Sequence, residues 1–339
     1  MSREQNGPMT LRPLTERRRE RVHRLGVAGT ALALTLGVAL LGAGSADADE
    51  RCPAGRSCAS EPGGPGGPAA GPADSGSLRH IPLQGAVNVR DLGGYATEDD
   101  RKVRHGLVYR ADALNKLSDA DLVAVSGLGL ETVVDFRTTQ EVEADGSDRL
   151  PDGLTPTYRP VGGDDLGETV KEAILSGDPV KQEEALGKGK AAEFMKEVYR
   201  SLVTDAGNRA RFAETLREIA ADGQGPLLYH CTSGKDRTGW TSYVLLRALG
   251  VSQDTAEQDY LASNTFRAEQ DEKMREQLKE SGLMENPDLL KPVQEVRSEY
   301  LGAALAQVEK DHGTLDGYLA EGLGLEEQVV ERLKKKLIA

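Results

Sequence analysis

One stretch of this 339-residue chain gathers side chains that can do chemistry at close range: His230-Cys231-Thr232-Ser233-Gly234-Lys235-Asp236-Arg237-Thr238-Gly239. An apolar strand pattern, Leu227-Leu228-Tyr229, precedes it. A helical pattern through Thr241, Tyr243, Val244, Leu245, Leu246 and Leu249 follows and stops at Gly250. A strand that enters a tight loop and leaves as a helix turns successive backbone N–H groups toward one point, which favours an anion. Thr232, Ser233, Gly234 and Lys235 supply those groups. Gly234 can turn with no Cβ in the way, and Gly239 lets another segment approach the first helical turn. The same dipoles favour a thiolate at Cys231, which makes it a nucleophile. Arg237 offers a planar fork for two oxygens of a phosphate. His230 is placed to fix the start of the loop and to support the thiolate. Thr238 can donate its hydroxyl toward the sulfur. A nucleophile below, with oxygens held by N–H groups and Arg237, is an in-line phosphoryl-transfer site built without a metal or cofactor.

Cys-x5-Arg followed by Thr resembles the signature of the cysteine-dependent protein tyrosine phosphatase superfamily. The longer run His-Cys-x-x-Gly-Lys-Asp-Arg-Thr-Gly resembles the bacterial, secreted tyrosine and phosphoinositide phosphatases of the PtpB-like group. A second similar segment is Asn88-Val89-Arg90-Asp91-Leu92-Gly93-Gly94, and a third is Asp135-Phe136-Arg137 with Glu141, where Phe136 replaces the group's Leu. The resemblance implies a catalytic Cys231, Arg237 and Asp236, the last protonating the leaving oxygen. It implies substrate contacts from His230, Thr232, Ser233, Gly234, Lys235, Thr238, Gly239 and Asp135. It also implies a phosphotyrosine substrate, with phosphoserine, phosphothreonine and phosphoinositides open alongside. Asp164, Asp165 and Asp135 remain alternative acids, and Asp236 could instead be a structural acceptor for loop N–H groups. Arg137 and Glu141 could simply pair on the first turn of a helix. A Walker A loop is excluded, because Asp236 follows Gly234-Lys235 and Tyr229 occupies the first glycine position.

The rest of the chain must position that loop. Arg17, Arg18, Arg19, Arg21 and Arg24 precede an apolar run over 25–44, and Ala46-Asp47-Ala48 fits a cleavage site. Residues 1–48 therefore read as an export signal, with an uncleaved membrane helix as the alternative. Residues 49–77 are Gly, Pro, Ala and Ser rich and read as a linker; Cys52 and Cys58 within it could pair. With 42 Lys+Arg against 55 Asp+Glu, the chain has a net charge of −13. Removing residues 1–48 makes it more acidic still, which disfavours nucleic acid and anionic membrane as partners. The histidines lie far apart, so no zinc pattern is present.

The phosphatase domain is expected over 78–339. An extended stretch covers 81–89, strands cover 107–110, 130–136 and 155–161, and Ser118 caps a helix through Leu122, Val125 and Leu128. A mobile acidic loop is expected at 162–165. Helices follow over 191–203, with Phe194, Val198 and Leu202 on one face, and over 209–221. Strands alternating with helices argue for an α/β domain, a central parallel sheet flanked by helices, with the Cys231 loop at the carboxyl end of a central strand. Beyond Gly250 the chain reads as helices over 254–264, 266–280, 293–310 and 325–338, and 266–290 is the candidate for a lid. The expected protein is a secreted, monomeric phosphatase acting on phosphorylated protein or phosphoinositide through a phosphocysteine. A phosphate-binding module without turnover, or a rhodanese-type sulfurtransferase, are the competing readings.

Overall fold

The computed structural model describes residues 79–162 and 165–339. The expected export signal, the linker with Cys52 and Cys58, and Asp164 lie outside the described residues, as does the side chain of Asp165.

Six strands form one sheet in the order β1-β2-β3-β6-β4-β5. They are β1 (Arg79–His80), β2 (Arg90–Asp91), β3 (Val108–Ala111), β4 (Thr132–Asp135), β5 (Pro156–Tyr158) and β6 (Leu227–His230). The four strands β3, β6, β4 and β5 run parallel, and β1 and β2 extend the β3 edge in antiparallel fashion. β6 is covered on both faces, which is why it reads as an unbroken apolar run. Ala111, His230 and Asp135 stand in register across the three central strands, so three loops leave the sheet along one line. That edge is the usual ligand crevice of a parallel sheet.

Helix α1 (Asp119–Ser126) follows β3 and α2 (Thr139–Asp145) follows β4; capping boxes at Ser118 and Thr138 start them. Four helices precede β6: α3 (Asp165–Leu175), α4 (Pro179–Leu186), α5 (Lys190–Thr204) and α6 (Ala206–Ala220). α7 (Arg237–Ala248) leaves the Cys231 loop. Then come α8 (Gln253–Glu280), a 3-10 turn Pro287–Leu290, α9 (Lys291–Gln294), α10 (Ser298–His312), α11 (Leu315–Gly317) running into a π turn Tyr318–Gly322, and α12 (Glu327–Leu337). One core layer joins Tyr109, Ala111, Val133 and Leu228 of the sheet to Val89, Leu114, Leu117 and Val125.

The sheet, its flanking helices and the helical C-terminal region are as expected from the sequence. Four local expectations are corrected. The stretch 81–89 is irregular, because carboxylates instead of a neighbouring strand satisfy its N–H groups: Asp121 binds Gln84 and Gly85, and Asp112 binds Val87 and Asn88. On α5 the fully buried stripe is Ala191, Met195, Tyr199 and Leu202, with Phe194 and Val198 half-buried. The helices expected over 254–264 and 266–280 are one, since no Gly or Pro interrupts α8. The helix expected over 293–310 is broken at Glu295–Arg297, where Val296 N–H and C=O are both taken by the Asn264 side chain. Among the described residues, no helix is long and apolar enough to cross a membrane.

Candidate active site

Cys231 follows directly on β6 and is buried to 1% exposure. The loop it opens is held from outside by its carbonyls. Cys231 O accepts from His230 Nδ1 (3.3 Å) and Thr232 O from Ala113 N (3.1 Å). Ser233 O accepts from Asn88 Nδ2 at 3.1 Å. Gly234 O accepts from Asn88 Nδ2 (3.0 Å) and Arg110 Nη2 (2.7 Å). In a trans peptide the C=O and the following N–H point opposite ways. Four carbonyls drawn outward therefore turn the N–H groups of Thr232, Ser233, Gly234 and Lys235 toward the inside of the loop, where an anion is favoured. Gly234 makes the turn at φ +64, and a Cβ on it would lie 2.5 Å from Ala111 O.

The outer scaffold is itself a buried ion cluster. Asp259 of α8 binds Arg90 Nε at 2.8 Å and Arg110 Nη1 at 2.5 Å, and accepts from Tyr95 OH at 2.9 Å. Burial would raise the Asp259 carboxyl, but Arg90 and Arg110 outweigh it and hold it down at about 2. Asn88, Arg90 and Asp259 are thus braces for the loop, and the neighbouring Arg90 and Asp91 do not pair with each other. Asp91 instead caps the Gly93 and Gly106 N–H groups and pairs with Arg79.

Arg237 opens α7, and Glu141 on the first turn of α2 grips it bidentately, Nη1 to Oε2 at 2.6 Å and Nη2 to Oε1 at 2.5 Å. Its Nη1 also donates to Phe136 O and Val161 O. Thr232 Oγ1 donates to Glu141 at 2.5 Å. Burial opposes charge on both partners, yet each stabilises the other. The Glu141 carboxyl falls to about 2, while Arg237 rises under the pull of Glu141 and then Cys231. The fork is therefore locked facing the loop, leaving Nε without a partner among the described residues. The expected Arg137–Glu141 pair does not form. Arg137 binds Asp135 through Nε and Nη2 and reaches Asp148 Oδ1 at 2.8 Å.

His230 completes that lower cluster. Its Nε2 bonds Asp148 Oδ2 at 2.8 Å and lies 3.8 Å from Asp135 Oδ1. Burial alone would lower the imidazole, but Asp148 and then Asp135 outweigh it and lift it from 6.5 to about 9. A cationic His230 donates from Nδ1 to the Cys231 carbonyl and places positive charge under the loop. Asp135, Asp148 and His230 lie close enough to suggest a metal cluster, but the Arg137 guanidinium bonds both carboxylates and, with the His230 imidazolium, balances their charge. Asp135 is fully buried with its oxygens on Arg137. It is part of this support, its two oxygens already engaged by Arg137, where the resemblance implied a substrate contact.

Lys235 is also differently employed. It is buried, and its Nζ bonds both oxygens of Asp236, at 2.9 and 2.7 Å. Asp236 accepts further from Tyr199 OH at 2.9 Å, and its side chain keeps 20% exposure at the loop rim. Its acceptor bonds go to side chains and not to loop N–H groups. Thr238 Oγ1 is buried and has no hydrogen-bond partner among the described residues, so the bond expected to the Cys231 sulfur is not made here. Gly239 admits α8, since a Cβ there would meet Tyr260 Cδ2 at 3.0 Å. Ser233 belongs to the loop through its carbonyl bond to Asn88. Sequence reasoning missed Glu141 as the Arg237 partner, Asp148, Asp259 and Tyr199. The only signal for Glu141 was its place in the Asp135-Phe136-Arg137 segment.

The central strand of a parallel sheet thus delivers a buried cysteine into a loop of inward N–H groups that an arginine closes. The chain belongs to the tyrosine phosphatase family, whose model matches residues 81–339. A Cupriavidus necator protein named as a tyrosine-protein phosphatase is 34% identical over 239 residues, covering 70% of this chain and 81% of its own. The triple specificity protein phosphatase PtpB of Mycobacterium tuberculosis is 30% identical over 283 residues, 77% of this chain and 99% of its own. A tyrosine-protein phosphatase of Nostoc commune is 27% identical over 234 residues, 67% of this chain and 73% of its own.

Proposed function

We propose that this tyrosine phosphatase hydrolyses phosphotyrosine through a phosphocysteine. The observation that carries the reading is the opposed placement of Cys231 at the base of the loop and a Glu141-locked Arg237 at its far end, with inward N–H groups between. The phosphoryl oxygens bind the N–H groups and the free side of Arg237, as developing charge requires. The Cys231 thiolate attacks phosphorus in line, the S–P bond forms, and the ester P–O bond breaks. Asp236, at the exposed rim, gives its proton to the leaving phenol oxygen. The resulting Asp236 carboxylate takes a proton from water as that water attacks the phosphocysteine, and inorganic phosphate leaves. Thr238 Oγ1 is the donor at hand for the departing thiolate.

The PtpB relative is named for triple specificity, and we extend the reading to phosphoserine, phosphothreonine and phosphoinositide as slower substrates. The Arg cluster, apolar run and Ala46-Asp47-Ala48 support export with removal of residues 1–48. The test is turnover of phosphotyrosine peptide, phosphoserine peptide, phosphoinositide and thiosulfate by purified protein. Mass spectrometry of acid-quenched reactions should find phosphate on Cys231. Cys231→Ser should abolish turnover while retaining binding of the phosphotyrosine peptide, and EDTA should not inhibit. Retention of even a tenth of the rate by Cys231→Ser defeats the covalent mechanism. Turnover of thiosulfate alone would favour a sulfurtransferase.

A further inference from the structure

The Asp236 carboxylate does not stand alone at the rim. Tyr199 of α5 donates to its Oδ1 at 2.9 Å, and Tyr260 of α8 donates to Tyr199 OH at 2.8 Å, with a longer contact to Arg297 O. Both phenols are completely buried, and their rings meet edge to face with centroids 6.1 Å apart. Tyr300 of α10 also packs on Tyr199, 5.9 Å between centroids. Burial, with Asp236 next in effect, pushes both phenol groups far above the ordinary range, so each stays a protonated donor. The two hydroxyls therefore run in one direction, from Tyr260 to Tyr199 to Asp236.

We propose that Tyr199, supported by Tyr260, is a positioning residue that fixes which oxygen of Asp236 delivers the proton to the leaving group. The proposal rests on the reading of Asp236 as the general acid. A phenol that can only donate requires Oδ1 to be an acceptor. The neutral acid must then carry its proton on Oδ2, and the planar carboxyl is held against rotation by a side chain with no freedom of its own. Lys235 Nζ donates to both oxygens, to Oδ2 through the lone pair that its proton leaves free, so it does not make that choice. When Asp236 has given its proton away, Tyr199 remains bonded to Oδ1, and the returning proton again goes to Oδ2.

The test compares leaving groups. Tyrosine leaves as a phenol of pKa about 10, whereas p-nitrophenol needs little protonation. Tyr199→Phe should lower kcat on a phosphotyrosine peptide roughly tenfold, the worth of one hydrogen bond to a charged group, and change p-nitrophenyl phosphate by less than roughly threefold. Tyr260→Phe should do the same to a smaller degree. Adding Tyr199→Phe to Asp236→Asn should cost nothing further on the peptide. Equal losses on both substrates in Tyr199→Phe, beside a selective loss in Asp236→Asn, overturn the proposal and leave the general acid standing. A non-selective Asp236→Asn removes the general acid and the proposal together. Circular dichroism and binding of inorganic phosphate check folding. If Tyr199→Phe does not fold, Tyr260→Phe, which reaches Asp236 only through Tyr199, decides by the same ratio.

Discussion

Replacing Asp148 by Asn should remove a pH dependence of stability that His230 imposes on the whole domain. His230 is completely buried, and Asp148 holds it as imidazolium with a value lifted from 6.5 to about 9. A raised value means that the folded state binds the proton more tightly than the unfolded chain. The stability from this charge is fully present below pH 6.5 and is lost as pH rises through 9. The shift amounts to about 3 kcal/mol, at about 1.4 kcal/mol per pH unit. An amide at position 148 accepts a hydrogen bond but supplies no charge, so the buried imidazolium is left with the more distant Asp135, 3.8 Å away and already bound by Arg137. Urea unfolding of both proteins at intervals from pH 6 to pH 10 is the assay. Taking the difference between them cancels every titration they share. That difference should be about 3 kcal/mol at pH 6 and shrink below about 1 kcal/mol at pH 10. Parallel curves across this window would refute the assignment of a buried imidazolium held by Asp148.

Two other substitutions probe the loop directly. Glu141→Gln should lower kcat/KM on phosphotyrosine peptide by roughly 30-fold or more, equivalent to about 2 kcal/mol, because one amide oxygen cannot hold both Nη atoms of Arg237. Steady-state kinetics check it, and a loss below roughly threefold shows that Arg237 orients itself without Glu141. Gly234→Ala should destabilise the protein by about 2 kcal/mol or more, since left-handed backbone and a Cβ against the backbone of Ala111 must both be accommodated. Thermal unfolding with an activity assay measures it, and a fully active variant of unchanged stability would mean that the loop can turn without glycine.

The parts of this molecule written locally were legible, and the parts written at a distance were not. The strand, loop and helix around Cys231 are contiguous in sequence, so turn chemistry and the apolar run place them together. The Ser118 capping box likewise lies within four residues. Each partner of the loop, however, comes from far away. Glu141 is 96 residues from Arg237, Arg110 is 124 from Gly234, Asn88 is 146 from Gly234, and Asp148 is 82 from His230. Periodicity says nothing about which buried carboxylate meets which guanidinium. On α5, the spacing of Phe194, Val198 and Leu202 and that of Ala191, Met195, Tyr199 and Leu202 both satisfy a helical stripe. Tertiary packing, against α10 above all, selects the second. Lys235 reads as a substrate contact because nothing in the sequence reveals that its ammonium folds back on the next residue.

Pairing of the buried ions decides what kind of attraction the site can exert. Arg237 is opposed by Glu141, Lys235 by Asp236, His230 by Asp148, and Arg137 by Asp135. Each of these four cations has a carboxylate within hydrogen-bond reach, Arg90 and Arg110 share Asp259, and the chain as a whole is strongly acidic. Long-range steering of a phosphorylated substrate is therefore weak, since paired charges look like dipoles beyond a Debye length of about 8 Å. What remains is short-ranged: inward N–H groups, the N-terminus of α7, and the side of Arg237 not held by Glu141. These groups demand oxygens at fixed positions on one phosphorus, so a monoester that enters fully gains all of them while a diffuse anion at the mouth gains almost none. The carboxylates that silence the cations at a distance are the same groups that aim them. Selectivity for a tetrahedral phosphoryl group thus comes from geometry that the ion pairs impose.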